Sequence, residues 1–337
     1  MTYLIGTDEA GYGPNLGPLV ISATVWQVPE GVRAGDLYRL LEGVVAAPRH
    51  GDASDATPPR RRKRGPPQNG LPPIVIGDSK ALYQSGKGLG LLERGLLPAL
   101  GALGRPARWC REVWEALAPD AADARRAIPW YADHDRPLPQ DAEPEEIERL
   151  GRILQDRLAT AGVRLLAIRS RAVFEDEFNR LVQRHESKGT ALSHATLGLL
   201  AEVVGPLPSS PIAVLCDKHG GRDRYAPLLR TAFPGWLIEI CGEGRQQSIY
   251  RFGPPKRRVE VRFQAKAESH LPAALASMAS KYLRELAMQG LNDFWCRRVP
   301  GLVPTAGYPA DARRFKTAIA AAQAELGIAD RQLWRCK

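Results

Sequence analysis

Four acidic residues share one setting, and that setting suggests where chemistry would sit. Asp8 and Glu9 lie at the end of "TYLIGTDEA", Asp217 closes the apolar run "IAVLC", and Glu268 follows "VEVRFQAKA". Acids at the ends of buried strands stand on the rim of a sheet, where α/β proteins build their sites. Crowded carboxylates repel one another unless a cation neutralises them, and an oxygen-only set without His or Cys suits Mg²⁺ or Mn²⁺ rather than zinc. Taken singly, each acid could be an ordinary turn or capping residue; the recurrence of the setting is what points to a site. Asp8 and Glu9 also carry a geometric condition. Adjacent residues of a regular strand point to opposite faces, so both reach one site only if the strand ends or bulges at Glu9. The glycines and prolines of "GYGPNLGP" immediately after it fit such a break.

The elements that must position these acids follow from the periodicity. "TYLIGTDEA" and "PLVISATVWQV" read as a hairpin, "PIVIGDSKAL" as a third strand, and "VRLLAIRS", "PIAVLC", "GWLIEICGE", "QSIYRFGP" and "RRVEVRFQ" as further strands. "GLLERGLLPALGAL", "EEIERLGRILQDRLATAG", "AVFEDEFNRLVQRH", "TALSHATLGLLAEVVG" and the strongly amphipathic "LPAALASMASKYLRELAMQGL" read as helices. Strands alternating with helices give an α/β fold, and the opening hairpin makes its sheet mixed. Residues 46–73, with "RRRKR" at Arg60 to Arg64, lose the apolar signal and read as a flexible basic insertion. Residues 105–145 are Trp-rich and proline-broken, an insertion without a legible role.

Composition narrows the partners. Lys and Arg number 47 against 37 Asp and Glu in 337 residues, and the net charge of +10 favours a polyanion such as nucleic acid. The five cysteines form no C-x-x-C pair, which argues against a zinc site or disulfide framework and for a reducing compartment. With no signal-peptide pattern and no window of membrane-spanning length, the chain reads as cytoplasmic and off the membrane; a monomer is the expected state.

Five stretches, in order, resemble the type 2 ribonuclease H family, ribonuclease HII, which cuts the RNA strand of RNA/DNA hybrids. They are "GTDEAGYGPNLGPLV", "GDSKAL", "LCDKHGG", "KAESHLPAALASMASKYLRE" and "GYPADARRF". The resemblance implies a ribonuclease H-like fold, a mixed central sheet flanked by helices with insertions and a helical C-terminal extension. It implies a catalytic domain over 1–285 and a C-terminal segment, 286–337, that packs on it and contacts substrate. Its four metal-binding acids fall on Asp8, Glu9, Asp217 and Glu268, which implies two-metal hydrolysis leaving 5′-phosphate and 3′-hydroxyl ends, on hybrids and, by extension, on single ribonucleotides embedded in DNA.

Carried over in the same way, Gly11 and Gly13 bring backbone close to a sugar. Ser79 and Lys80 meet backbone phosphates, and Asn179 holds a phosphate or caps a turn. Ser277, Lys281 and Arg284, at i, i+4 and i+7, form one helix face for phosphate contact or site support. Tyr308 packs against the sugar at an RNA–DNA junction. The chain departs from the pattern in three ways. Tyr12 stands where the family has arginine, Glu268 replaces the usual Asp, and Lys218 sets an ammonium beside Asp217 where the family has glycine; His219 next to it is a proton-transfer group or a solvated loop residue. These departures keep two alternatives open, a hybrid-binding protein with impaired catalysis and a related nuclease acting on another nucleic-acid structure.

Overall fold

The computed structural model describes residues 1–48, 70–84 and 87–336. Nine strands are described: β1 (Thr2–Ala10), β2 (Leu19–Val28), β3 (Val45–Ala46), β4 (Ile74–Val75), β5 (Arg164–Val173), β6 (Ile212–Asp217), β7 (Glu239–Glu243), β8 (Gln247–Phe252) and β9 (Val259–Gln264). Seven form one sheet in the order β5-β2-β1-β6-β9-β8-β7. β1 runs antiparallel to β2 and parallel to β6, and β6 parallel to β9, so the sheet is mixed. Among the described residues β3 and β4 pair only with each other, two residues long, so the third strand expected in "PIVIGDSKAL" stays outside the main sheet. The run "PIVIG" is too short to do more before the turn at Asp78.

Among the described residues thirteen α-helices accompany the strands: α1 (Leu37–Leu40), α2 (Ser79–Leu82), α3 (Gly90–Ala102), α4 (Cys110–Leu117), α5 (Ala122–Ala127), α6 (Pro129–Ala132), α7 (Pro144–Thr160), α8 (Glu175–His185), α9 (Lys188–Val204), α10 (Ala226–Ala232), α11 (Leu271–Cys296), α12 (Pro309–Glu325) and α13 (Asp330–Leu333). They cover both sheet faces. Leu4, Val20 and Trp26 pack with α3, α7 and α11 on one side, whereas Tyr3, Ile5 and Ile21 pack with α9 and α10 on the other. Alternation along the strands is what sorts these residues between the layers.

α11 is the axis of the first layer. It is not the amphipathic surface helix its pattern suggests: twenty of its residues are buried, because sheet, α3, α4 and α6 surround it. It lies directly on β1 at Gly6, where a Cβ would sit 2.1 Å from the Ala273 nitrogen, so any other residue would push the helix off the strand. Thr24 Oγ1 donates to the Pro272 carbonyl at 2.7 Å and fixes the same end. The boundary expected at residue 285 falls inside this helix.

The 105–145 stretch folds as short helices rather than as a featureless insertion. Trp114, Leu117, Trp130 and Tyr131 enter the first core layer, and Glu93 of α3 closes the segment by accepting the amides of Gln140, Asp141 and Ala142 and the Tyr282 hydroxyl. Of the 46–73 insertion, residues 49–69, with Arg60 to Arg64, lie outside the described residues. All five cysteines are free, and among the described residues no helix is long and apolar enough to cross a membrane.

Candidate active site

β1 does not break at Glu9. It stays paired with β2 in regular register through Asp8–Ser22, Glu9–Ile21 and Ala10–Val20, so Asp8 faces α11 and Glu9 faces the α9 layer. The bulge expected from the sequence is unnecessary because the other edge of β1 opens instead. β6 pairs with β1 only as far as Thr7–Cys216, and the next positions along that register are Asp8 and Asp217. Beyond that point β1 is unpaired on this edge among the described residues, and Asp8 and Glu9, from opposite faces, both feel the Asp217 charge.

Four acids thus share one electrostatic neighbourhood. Burial, and then the neighbouring Glu9, raise the Asp8 carboxyl well above its ordinary range, while the Ser277 hydroxyl beside it pulls the other way. Burial and then Asp217 push Glu9 up to about 7. Asp217 is raised chiefly by burial, against the opposing pull of the nearby Lys218, Ala267 and Lys266 amides. Glu268, in the 3-10 turn Ala267–Ser269 ahead of α11, is raised by burial and by Asp217. The left-handed backbone at Lys266 (φ 61°) turns the chain from β9 toward Asp217.

One cation faces this set. Burial opposes the charge of Lys80, yet Asp78, Asp8, Glu268 and Asp217 outweigh it and raise the ammonium above its ordinary value. Lys218, expected beside the metal ligand, turns away: its Nζ donates to the carbonyls of Arg222 (3.2 Å) and Gly244 (2.6 Å) and pairs with Asp223 at 2.5 Å. Its partners in the loop after β6, Arg222 and Asp223, and Gly244 between β7 and β8 decide the direction.

Among the described residues no three His, Cys, Asp or Glu side chains form a ready-made metal-ligand group. The donor set still fits a hard cation. Asp217 Oδ1 and Glu268 Oε2 are buried without any hydrogen-bond partner, and buried acceptors of that kind want a donor or a cation. Mutual repulsion, visible in the raised carboxyls, works against closer approach of the acids without one.

The other expected site residues divide into two groups. Ser79 and Ser277 meet: Ser277 Oγ lies 3.1 Å from Ser79 Oγ and accepts the Ser79 amide at 3.2 Å. Asp78 caps α2 by accepting the Lys80 amide at 3.1 Å. Gly13 and Tyr308 also meet, since a Cβ on Gly13 would lie 4.0 Å from the Tyr308 ring, which is 57% exposed. Tyr12 sends its hydroxyl toward Gly189 and Gly220 on the α9 side, and burial followed by Glu9 raises its pKa.

Arg284, Lys281 and Asn179 are used within the protein. Arg284 is buried and donates to the carbonyls of Pro18 (3.0 Å), Leu16 (3.3 Å) and Ala306 (3.3 Å). Lys281 pairs with Glu285 at 2.5 Å and lies over the Tyr83 ring. Asn179 receives the Cys336 amide at 2.7 Å and donates to the Trp334 carbonyl at 2.8 Å, neither a turn cap nor an open phosphate ligand. The helix face of Ser277, Lys281 and Arg284 is therefore not one surface, because helix, loop and sheet cover it from several sides. His219 is neither solvated nor a proton carrier. It is buried against Phe263 and Tyr225, shares a hydrogen bond with Ser193 Oγ at 3.0 Å, and is held neutral by burial at about 3.

Comparison with known proteins adds the following. No protein-family model matches the chain, and no curated protein matches it. Solved structures similar to it include the following three. The ribonuclease HII of the PCNA complex from Archaeoglobus fulgidus is 12% identical, with 99% of this chain and 94% of that one covered at a TM-score of 0.39. Ribonuclease H2 from Pyrococcus horikoshii OT3 is 14% identical, covering 98% and 92% at 0.39. Bst ribonuclease HIII, solved with Mn²⁺, is 14% identical, covering 99% and 66% at 0.40. At these scores the likeness carries no functional argument; the mixed sheet flanked by helices, with further helices at the C-terminus, stands on the chain's own topology.

Two features of the site were not among the expected residues. Hydroxyls of Ser170, Ser22 and Ser280 run in a buried chain at 2.7 and 2.8 Å to the Asp8 carbonyl, 3.0 Å from Ser280 Oγ, and tie β5, β2 and α11 to the acid-bearing strand. Serines inside apolar runs were the available hint. The second feature is Glu175 with Arg335, at the start of α8 and in the C-terminal tail. Glu175 accepts the Gly17 amide at 2.8 Å, and burial pushes it up to about 7. Arg335 is fully buried, lowered to about 9 by burial and by Arg284, and donates to the carbonyls of Gly11 (2.5 Å) and Pro14.

Proposed function

We propose that this chain is a metal-dependent endoribonuclease of the ribonuclease H type, hydrolysing the RNA strand of RNA/DNA hybrids and, by extension, single ribonucleotides embedded in DNA. The observation that carries the reading is the meeting of Asp8, Glu9, Asp217 and Glu268 at the open end of β1 and β6, with buried oxygens on Asp217 and Glu268 left unpartnered. These four carboxylates would hold Mg²⁺ or Mn²⁺. When bound in pairs, such ions lower the pKa of an attacking water and stabilise the leaving 3′ oxygen, which leaves 5′-phosphate and 3′-hydroxyl ends.

The surrounding residues divide the remaining work. Lys80 offsets the acid charge and supplies a cation at the rim, where a phosphate must approach carboxylates that would otherwise repel it. Ser277 holds the Ser79 amide and so sets the direction in which the "GDSK" turn presents Lys80. Gly13 and the exposed Tyr308 ring frame a slot without a side chain on one wall, suited to a sugar, and an aromatic wall disfavours a 2′-hydroxyl that would lose its water against it. The net charge of +10 supports a polyanionic substrate.

The test is cleavage of end-labelled duplexes carrying four ribonucleotides or one, with Mg²⁺ or Mn²⁺, by the wild-type protein and Asp217→Asn. Cutting by the wild type alone, leaving 3′-hydroxyl ends, is expected. Binding of both duplexes without cutting under either metal would replace this reading with that of a binding protein.

A further inference from the structure

The loop from Gly11 to Pro18 follows the two β1 acids directly and is rich in acceptors. Its two prolines have no N–H, while the carbonyls of Gly11, Pro14, Leu16 and Pro18 all point to guanidiniums. Arg284 of α11 takes the Leu16 and Pro18 end, and Arg335 takes the Gly11 and Pro14 end from 324 and 321 residues away in the chain. Backbone joins them too: Arg335 N donates to the Asn15 carbonyl at 2.9 Å, and Asn15 Nδ2 donates to the Arg335 carbonyl at 3.0 Å. Gly11 (φ 89°) leaves no room for adjustment, since a Cβ there would lie 2.5 Å from the Pro18 carbonyl and 2.9 Å from Arg284.

The tail that carries Arg335 is itself seated. Asn179 of α8 grips it through the Trp334 carbonyl and the Cys336 amide, and the Arg335 guanidinium stacks 4.5 Å from the Phe178 ring centre. Arg335 Nε and Nη1 are nevertheless buried without partners. Mere fastening of a tail does not call for an incompletely paired, fully buried cation, because burying charge is costly. What this cation does that an apolar side chain could not do is hold two carbonyls of one loop through the two hydrogens of a single nitrogen, Nη2.

We propose that Arg335 is a positioning residue for substrate engagement. By holding the Gly11 and Pro14 carbonyls it sets where Tyr12 and Gly13 stand between Glu9 and Tyr308, so the C-terminal tail controls how tightly a hybrid is held and leaves metal loading alone. This rests on the proposed hydrolysis of hybrids.

The experiment compares wild type with Arg335→Met, Arg335→Lys and Asn179→Ala, the last loosening the tail away from the loop. Three quantities are read: KM and kcat on the four-ribonucleotide duplex, the Mg²⁺ midpoint, and amide hydrogen exchange. For Arg335→Met, KM rises about tenfold, with kcat and the Mg²⁺ midpoint within about twofold of wild type. Exchange at residues 11–17 quickens by about tenfold while β1 and β6 keep their protection. Arg335→Lys recovers part of both effects, and Asn179→Ala shows the same pattern more weakly. Unchanged loop exchange, or a fall in kcat at constant KM, overturns the proposal. If Arg335→Met loses protection throughout β1 and β6, the other two variants decide by the same criteria. If wild type neither binds nor cuts the duplex, the proposed function fails, and loop exchange alone decides whether Arg335 positions the loop.

Discussion

Ser277 of α11 holds Ser79 of α2 twice, through its hydroxyl at 3.1 Å and through the Ser79 amide at 3.2 Å, across 198 residues of sequence. Two motifs far apart in the chain thus form one structural unit, and Lys80 is the residue it presents to the acids. Ser277→Ala leaves a buried amide unpaired and is expected to destabilise the protein by about 1–3 kcal/mol. It also weakens hybrid binding, because Lys80 loses its fixed direction. Chemical denaturation and a binding titration check the two effects; full stability with full affinity would contradict this role.

The four acids are placed at the expense of stability. Asp8→Asn abolishes cleavage, down to the uncatalysed background, yet raises the melting temperature of the metal-free protein at pH 8, because a neutral amide removes both a buried charge and its repulsion with Glu9. Thermal unfolding in EDTA is the measurement. A lowered melting temperature would mean that the carboxylate is structural.

Protons and metal compete for the same oxygens. Asp8 is raised by burial and Glu9 lies at about 7, so acidification protonates groups that must be ionised to ligate. The Mg²⁺ midpoint for cleavage is therefore expected to rise steadily as pH falls from about 8 to 6. A midpoint independent of pH would place the metal elsewhere.

Glu175 gives stability a separate pH dependence. Its folded pKa of about 7 lies above the unfolded value of 4.5, so between these values the folded chain keeps a proton that the unfolded chain has lost. Stability conferred by that proton is present below about 4.5, falls as pH rises through the window, and levels off above about 7. Glu175→Gln can still accept the Gly17 amide but cannot titrate, and is expected to flatten the fall in melting temperature between pH 5 and 7 with Mg²⁺ present. An unchanged slope would assign the dependence to other groups.

The sequence alone determined which residues lie near strand ends and where most of the longer helices and strands run, because both are local properties of period and composition. The positions of Asp8, Glu9 and Asp217 at or near the ends of β1 and β6 were legible for that reason, as were the opening hairpin and α3, α7, α8 and α9, whereas Glu268 stands four residues past β9. Tertiary structure decided where side chains point once several elements converge. It turned Lys218 toward Arg222, Asp223 and Gly244 and Lys80 toward the acids, buried His219, and took Arg284 and Asn179 from the expected substrate surface into contacts with the loop and tail. It also made a strand break at Glu9 unnecessary by ending β6 one register position past Cys216. Arg335 marks the limit of local reading. Nothing in "LWRCK" distinguishes a buried clamp from a solvated tail, because its partners, Gly11 and Pro14, lie more than 300 residues away and only the closed fold brings their carbonyls to it.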